Sequence, residues 1–139
     1  MSEEPIRLPG LRLGAVEGLP WRATRDPGVS WIPLWLAAEE GTQGEDARVA
    51  GRRDGATVLI RMEPGHGYRR HRHVGTEEVL VLAGGYRDER GTHPAGSFVH
   101  YEPGSAHTPV ALGDPERPAG EDNPACILFS CVPDGIELL

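Results

Sequence analysis

The feature that most restricts this chain is the shortness of its apolar runs. None repeats at helical spacing, and each is soon cut by glycine or proline. The sequence holds 19 glycines and 13 prolines among 139 residues, scattered without a fixed period. Such punctuation suits short strands joined by tight turns. "VSWIPLWLAA" reads as a strand that Pro33 confines to a sheet edge or a bulge. "DARVAGRRDGATVLIRME" reads as a hairpin turning at Asp54–Gly55. "EEVLVLAGGYRDERG" reads as two strands split by glycines, with a turn at Arg90–Gly91. "THPAGSFVHYEPGSAHTPVA" holds two short strands around Pro103–Gly104. "ACILFSCV" is almost continuously apolar, which predicts a central, buried strand, and "PDGIELL" is a short tail available to pair with a neighbour. About eight to ten strand candidates predict an all-β fold: a sandwich, a jelly roll or a small barrel. The length suits one domain. Residues 1–28, with the turn Asp26–Pro27–Gly28, read as an irregular leader packed on the barrel, and residues 29–139 as the domain itself.

The net charge is −7. Such a surface repels nucleic acid, and the small basic cluster Arg69, Arg70 and Arg72 is followed at once by glutamates, so no nucleic-acid partner is expected. The start, "MSEEPIRLPG", is acidic and lacks the apolar segment of a secretory signal. No run approaches the roughly 18 apolar residues of a membrane span, so no membrane partner is expected either. Cys126 and Cys131 share one run. On a strand they stand roughly 16 Å apart and point to opposite faces. A disulfide needs Cα atoms within about 7 Å. Two reduced, buried thiols in a cytoplasmic protein are therefore expected.

The densest chemistry lies in "GHGYRRHRHVGTEEVLVLAGG", Gly65 to Gly85. On an extended chain, residues two apart share a face, so His71 and His73 can both aim into a barrel interior. Imidazole suits zinc, iron, copper and nickel, and manganese less tightly, and a carboxylate would complete such a site. Glu77 keeps the parity of the two histidines, whereas a bend at Gly75 would favour Glu78 instead. A lone His-x-His is more often part of a solvated loop than a ligand pair. A second element, "GSFVHYEPGSAH", ends in His107 after a Pro-Gly turn, a natural way to swing one more side chain into a barrel mouth.

Together these elements resemble the two conserved motifs of the cupins. Gly65, His71, His73, Glu77 and Gly84 fit the first motif with the shorter of its two gaps, and Glu78 with Gly85 fits the longer. Gly96, Gly104 and His107 fit the second, while Glu102 stands at its proline position and Ala111 at its asparagine. The stretch "PGHGYRRHRHVGTEEVLVLAGGYRDERGTHPAGSFVHYEPGSAHTP", followed by "ACILFSCV", is similar to the ChrR-like cupins, first known as the metal-binding domain of an anti-sigma factor. The resemblance implies a double-stranded β-helix, or jelly-roll barrel. It implies a divalent metal, iron or zinc first and manganese or nickel next, on His71, His73, Glu77 and His107, with Glu78 as the alternate carboxylate. It also implies a homodimer.

Three activities follow as expectations. The first is an iron-type dioxygenase cleaving a small diketone or hydroxyketone, with Glu77 as ligand and, when displaced, as the catalytic base for enolisation. The second is a zinc-binding regulatory or sensor cupin for a small-molecule ligand, without the helical sigma-binding domain. The third is an isomerase or epimerase. Around the site, His100 and Tyr101 are candidates to touch a ligand or substrate, with Tyr68 and Trp35 as further lining aromatics. His66 and His93 read as rim or solvent histidines, and the arginines as surface charge.

Overall fold

The computed structural model describes residues 18–37 and 52–139. Within them there are thirteen strands and no helix. In chain order these are β1 (Arg22–Ala23), β2 (Val29–Leu36), β3 (Arg52–Arg53), β4 (Ala56–Met62), β5 (His71–His73), β6 (Glu77–Ala83) and β7 (Gly85–Asp88). They continue with β8 (Gly91–Pro94), β9 (Phe98–Tyr101), β10 (Ala106–His107), β11 (Val110–Ala111), β12 (Cys126–Val132) and β13 (Ile136–Leu138). They form a six-stranded sheet in the order β1-β2-β4-β12-β6-β9, a four-stranded sheet β10-β5-β13-β3, and a three-stranded sheet β11-β7-β8. Every pairing is antiparallel.

The apolar pattern explains the order. β12 has most of its residues buried and sits centrally, paired over its length with β4 on one side and with β6 on the other. Its inner face, with Cys126 and Leu128, meets Met62, Val79, Val81, Val99, Tyr86 and Ala111 in one core. Pro33 falls where the β2–β4 register shifts, so the missing amide sits in a bulge as its chemistry requires. β13, the expected short tail, pairs with both β5 and β3.

The hairpin expected across Asp54–Gly55 does not form. β3 pairs with β13 in the four-stranded sheet, while β4 crosses to the six-stranded sheet. Asp54–Gly55 is thus a passage between sheets. A Cβ on Gly55 would lie 1.8 Å from the Pro133 carbonyl oxygen, so glycine permits a close approach there rather than a hairpin turn. β1 lies inside the stretch expected to be irregular and pairs with β2. Cys126 is buried as expected, but Cys131 on the outer face of β12 is only partly so.

Candidate metal centre

β5 is three residues long and buries alternate side chains: His71 and His73 inward, Arg72 outward. His107, on β10, is the register partner of His71. Glu77 opens β6, whose inner face continues through Val79 and Val81. The four-stranded sheet thus supplies three imidazoles, and the six-stranded sheet supplies a carboxylate. His71, His73, Glu77 and His107 are 4%, 0%, 7% and 4% exposed, and one ligand atom from each lies within 4.8 Å of the others.

The partners behind each ring decide what it presents. His71 Nδ1 lies 2.9 Å from the Arg69 carbonyl oxygen, which can only accept. His107 Nδ1 lies 2.8 Å from Asp88 Oδ2, again an acceptor. His73 Nδ1 lies 3.0 Å from Ser105 Oγ, and that hydroxyl donates its own proton to the Glu102 carbonyl at 2.6 Å. These partners assign the proton of all three rings to Nδ1, which leaves every Nε2 as a lone pair. The lone pairs converge. The Nε2 atoms of His71 and His107 are 3.0 Å apart. His73 Nε2 is buried without a hydrogen-bond partner and sits 2.8 Å from Glu77 Oε1, another acceptor. Ser130 donates to the other Glu77 oxygen at 2.7 Å and so turns Oε1 toward the rings. Four acceptors facing one another with no donor among them is a repulsive arrangement that a cation relieves. The donor set fits a divalent metal ion, with imidazole nitrogen and carboxylate oxygen as its ligands.

The electrostatics agree. Burial pushes the His71 pKa down to about 4, against the upward pull of Glu77. Burial likewise lowers that of His107, against the Asp88 contact. Both rings are therefore neutral at pH 7, the form that ligates metals. Burial raises the pKa of Glu77, and only protonation of the surrounding imidazoles, His73 foremost, would bring the carboxyl below its ordinary range. Asp88 follows the same logic. Burial raises it, and the bonds from Tyr101, His107 and His93 bring it down to about 2.

The other expected residues fall as follows. Glu78 points to the outer face of β6 and pairs there with His100 Nδ1 at 3.2 Å, so it does not reach the cluster. His100 meets Glu102 through Nε2 at 3.3 Å and lines an external groove of about 480 Å³ with Arg90, Tyr101, Ser105 and His107. Tyr101 is buried, its ring 5.0 Å from that of His73 and 4.4 Å from that of His107. Tyr68 packs edge-on to His71. Trp35 is half exposed on the outside of the barrel, contrary to a lining role. His93 is largely buried and bonds Asp88 at 2.9 Å, and so is not the solvent histidine expected. Arg69 and Arg70 pair with Asp26 and Glu89. Sequence reasoning missed Asp88, Ser105 and Ser130. Two had a visible signal: Asp88 shares the face of Tyr86 two residues earlier, and Ser130 is the lone hydroxyl in an apolar central strand.

Fold and site together define a cupin with a buried group of three histidines and one glutamate able to bind a divalent metal. The sequence pattern of the ChrR cupin-like domain matches residues 12–116, and the chain belongs to that family. Solved structures share the fold. The complex of SigE with the anti-sigma ChrR from Rhodobacter sphaeroides matches at 27% identity and a TM-score of 0.59, over 84% of this chain and 50% of the other. An RmlC-like cupin protein from Ralstonia eutropha matches at 22% identity and a TM-score of 0.61, over 86% and 66%. An acetylacetone dioxygenase from Acinetobacter johnsonii matches at 14% identity and a TM-score of 0.56, over 99% and 75%. The chain thus spans half the length of the first of these and about two thirds of the second. At their identities the last two speak for the fold alone. No curated protein matches the sequence. Among the described residues no helix is long and apolar enough to cross a membrane.

Proposed function

We propose that this protein is a metal-dependent oxygenase of the dioxygenase type, acting on a small diketone or hydroxyketone. The carrying observation is the convergence of three Nε2 lone pairs and Glu77 Oε1 on one buried point. Four protein ligands leave one or two positions free on a five- or six-coordinate ion, the mark of a catalytic rather than a structural site. Iron(II) held there would supply Lewis acidity toward two substrate oxygens and redox chemistry with dioxygen. His71, His73 and His107 hold their Nε2 atoms inward through the bonds at their Nδ1 atoms. Glu77 Oε1 is the carboxylate oxygen that Ser130 leaves free; it would serve as a ligand to the ion or, if not ligating, as the base for an enolising substrate. That such chemistry suits this barrel is supported by the fold likeness to an acetylacetone dioxygenase.

A second reading, a zinc-holding regulatory module with no chemistry of its own, is favoured by two observations. The four ligands are closed off at 7% exposure or less, and the anti-sigma ChrR complex is similar at 27% identity. Metal analysis of protein purified without added metal separates the two. Stoichiometric iron, with oxygen uptake on a panel of diketones and hydroxyketones, is expected. Tight zinc, with no uptake by the iron-loaded protein, selects the regulatory reading. His71→Ala, His73→Ala, Glu77→Ala and His107→Ala are each expected to weaken metal binding sharply, and full retention in any one removes that residue from the set.

The homodimer belongs to the same proposal. Across the outer face of the six-stranded sheet, Ile32, Leu59, Phe129, Leu80 and Phe98 form one apolar row in register, with Phe98 63% exposed. A two-fold axis along the row would set it against its own copy. Sedimentation equilibrium of the parent and of Phe98→Glu tests this: a dimer that becomes monomeric is expected.

A further inference from the structure

The three histidines of the cluster differ in what stands behind them. His71 is backed by a carbonyl and His73 by a hydroxyl, both neutral. Only His107 is backed by a carboxylate, that of Asp88, whose side chain has no exposed surface. Asp88 is itself tightly held. Its Oδ2 accepts from the Tyr101 hydroxyl at 2.5 Å as well as from His107, and Tyr101 in turn sits 2.5 Å from the Tyr86 hydroxyl. Its Oδ1 accepts from His93 Nε2 at 2.9 Å and from the Arg90 amide at 3.0 Å. A buried carboxylate with four donors is fixed in place, and it can fix a ring in turn.

His107 is the ligand that needs this most. It stands on β10, a two-residue strand that pairs with β5 alone. Glu77 sits at the head of a seven-residue strand, by contrast. Charge points the same way. A dication beside ionised Glu77 leaves one uncompensated positive charge in a buried site, and Asp88 is the second carboxylate within one imidazole of it.

We propose that Asp88 is a positioning residue of the metal centre. It locks His107 as an Nε2 ligand, raises the donor strength of that ring, and brings the loaded site to neutrality. The inference rests on the metal centre proposed above. Second partners of this kind typically change metal affinity by about 10- to 100-fold.

The test uses the full chain stripped of metal and titrated with Co(II) and Zn(II) against a chromophoric chelator. Asp88→Asn is expected to weaken both ions by about 10- to 100-fold and to shift the visible Co(II) bands. Asp88→Glu, which restores the charge, is expected to recover part of the loss. Ser105→Ala, which removes a neutral partner from His73, is expected to cost less than Asp88→Asn. Nitrogen-edited NMR of the unsubstituted protein gives a reading free of any folding defect: the His107 proton should sit on Nδ1, slowed in exchange. If the parent binds Co(II) while Asp88→Asn binds it equally well with unchanged bands, the role of Asp88 is overturned and the metal centre stands. A His107 proton found on Nε2 in the metal-free protein overturns it as well. A parent that binds neither ion overturns the metal centre, and this inference with it.

Discussion

At the scale of single residues, the site is a ring of acceptors held by the groups behind it. Neutral imidazoles are the cost of that arrangement, and they make a prediction about pH. The ordinary histidine value is 6.5, and burial holds His71 at about 4 in the folded chain. Between those values the unfolded chain binds a proton that the folded one refuses. The stability this ring contributes is therefore whole above pH 6.5 and is lost as pH falls toward 4, on the order of 3 kcal/mol for metal-free protein. Urea unfolding of metal-free protein at pH 7, 5.5 and 4.5 should show the midpoint falling across that window, and a flat profile would contradict the buried neutral ring. The pair of histidines was legible because period two is a local rule. The glutamate was legible in part: parity and the motif resemblance favoured Glu77, but "EEVLVL" is apolar at four successive positions and gives no phase of its own, so Glu78 stayed the alternate. Glu77 faces inward because β6 carries it in step with Val79 and Val81, not because it shares parity with His71 and His73 across the bend at 74–76.

At the scale of elements, glycine does local work that no other residue can. Gly84 separates β6 from β7 with φ +67°, and a Cβ there would stand 2.4 Å from the Ala125 carbonyl oxygen. Gly84→Ala is expected to lower stability by roughly 1–3 kcal/mol through backbone strain and that clash. A thermal melt of the metal-free variant measures it, and an unchanged midpoint would refute the close approach. Strand existence was readable from punctuation, and β12 was recognisable as central from its apolar run. Pairing was less readable. Asp54–Gly55 has hairpin chemistry, yet β4 takes two longer partners, β2 and β12, which satisfy the backbone groups along both its edges as the two-residue β3 could not.

At the scale of the whole molecule, the cluster joins two sheets. Three ligands belong to the four-stranded sheet and one to the six-stranded sheet. An ion bound there stabilises only the folded chain. At one hundred times its dissociation constant it should add about 2.7 kcal/mol. Calorimetry with and without a chelator is expected to show a lower midpoint once metal is removed. Equal midpoints would mean that no ion bridges the sheets. The sequence by itself determined the strand-rich class, the inward pair His71 and His73, and the approach of His107 after its Pro-Gly turn, because alternation and turn chemistry are local. Tertiary structure alone decided that Glu78 pairs outside with His100, and that Asp88, Ser105 and Ser130 stand behind the ligands. Those choices depend on which strands lie across the barrel from one another, and no spacing along the chain encodes a contact between strands brought together only by burial of the core.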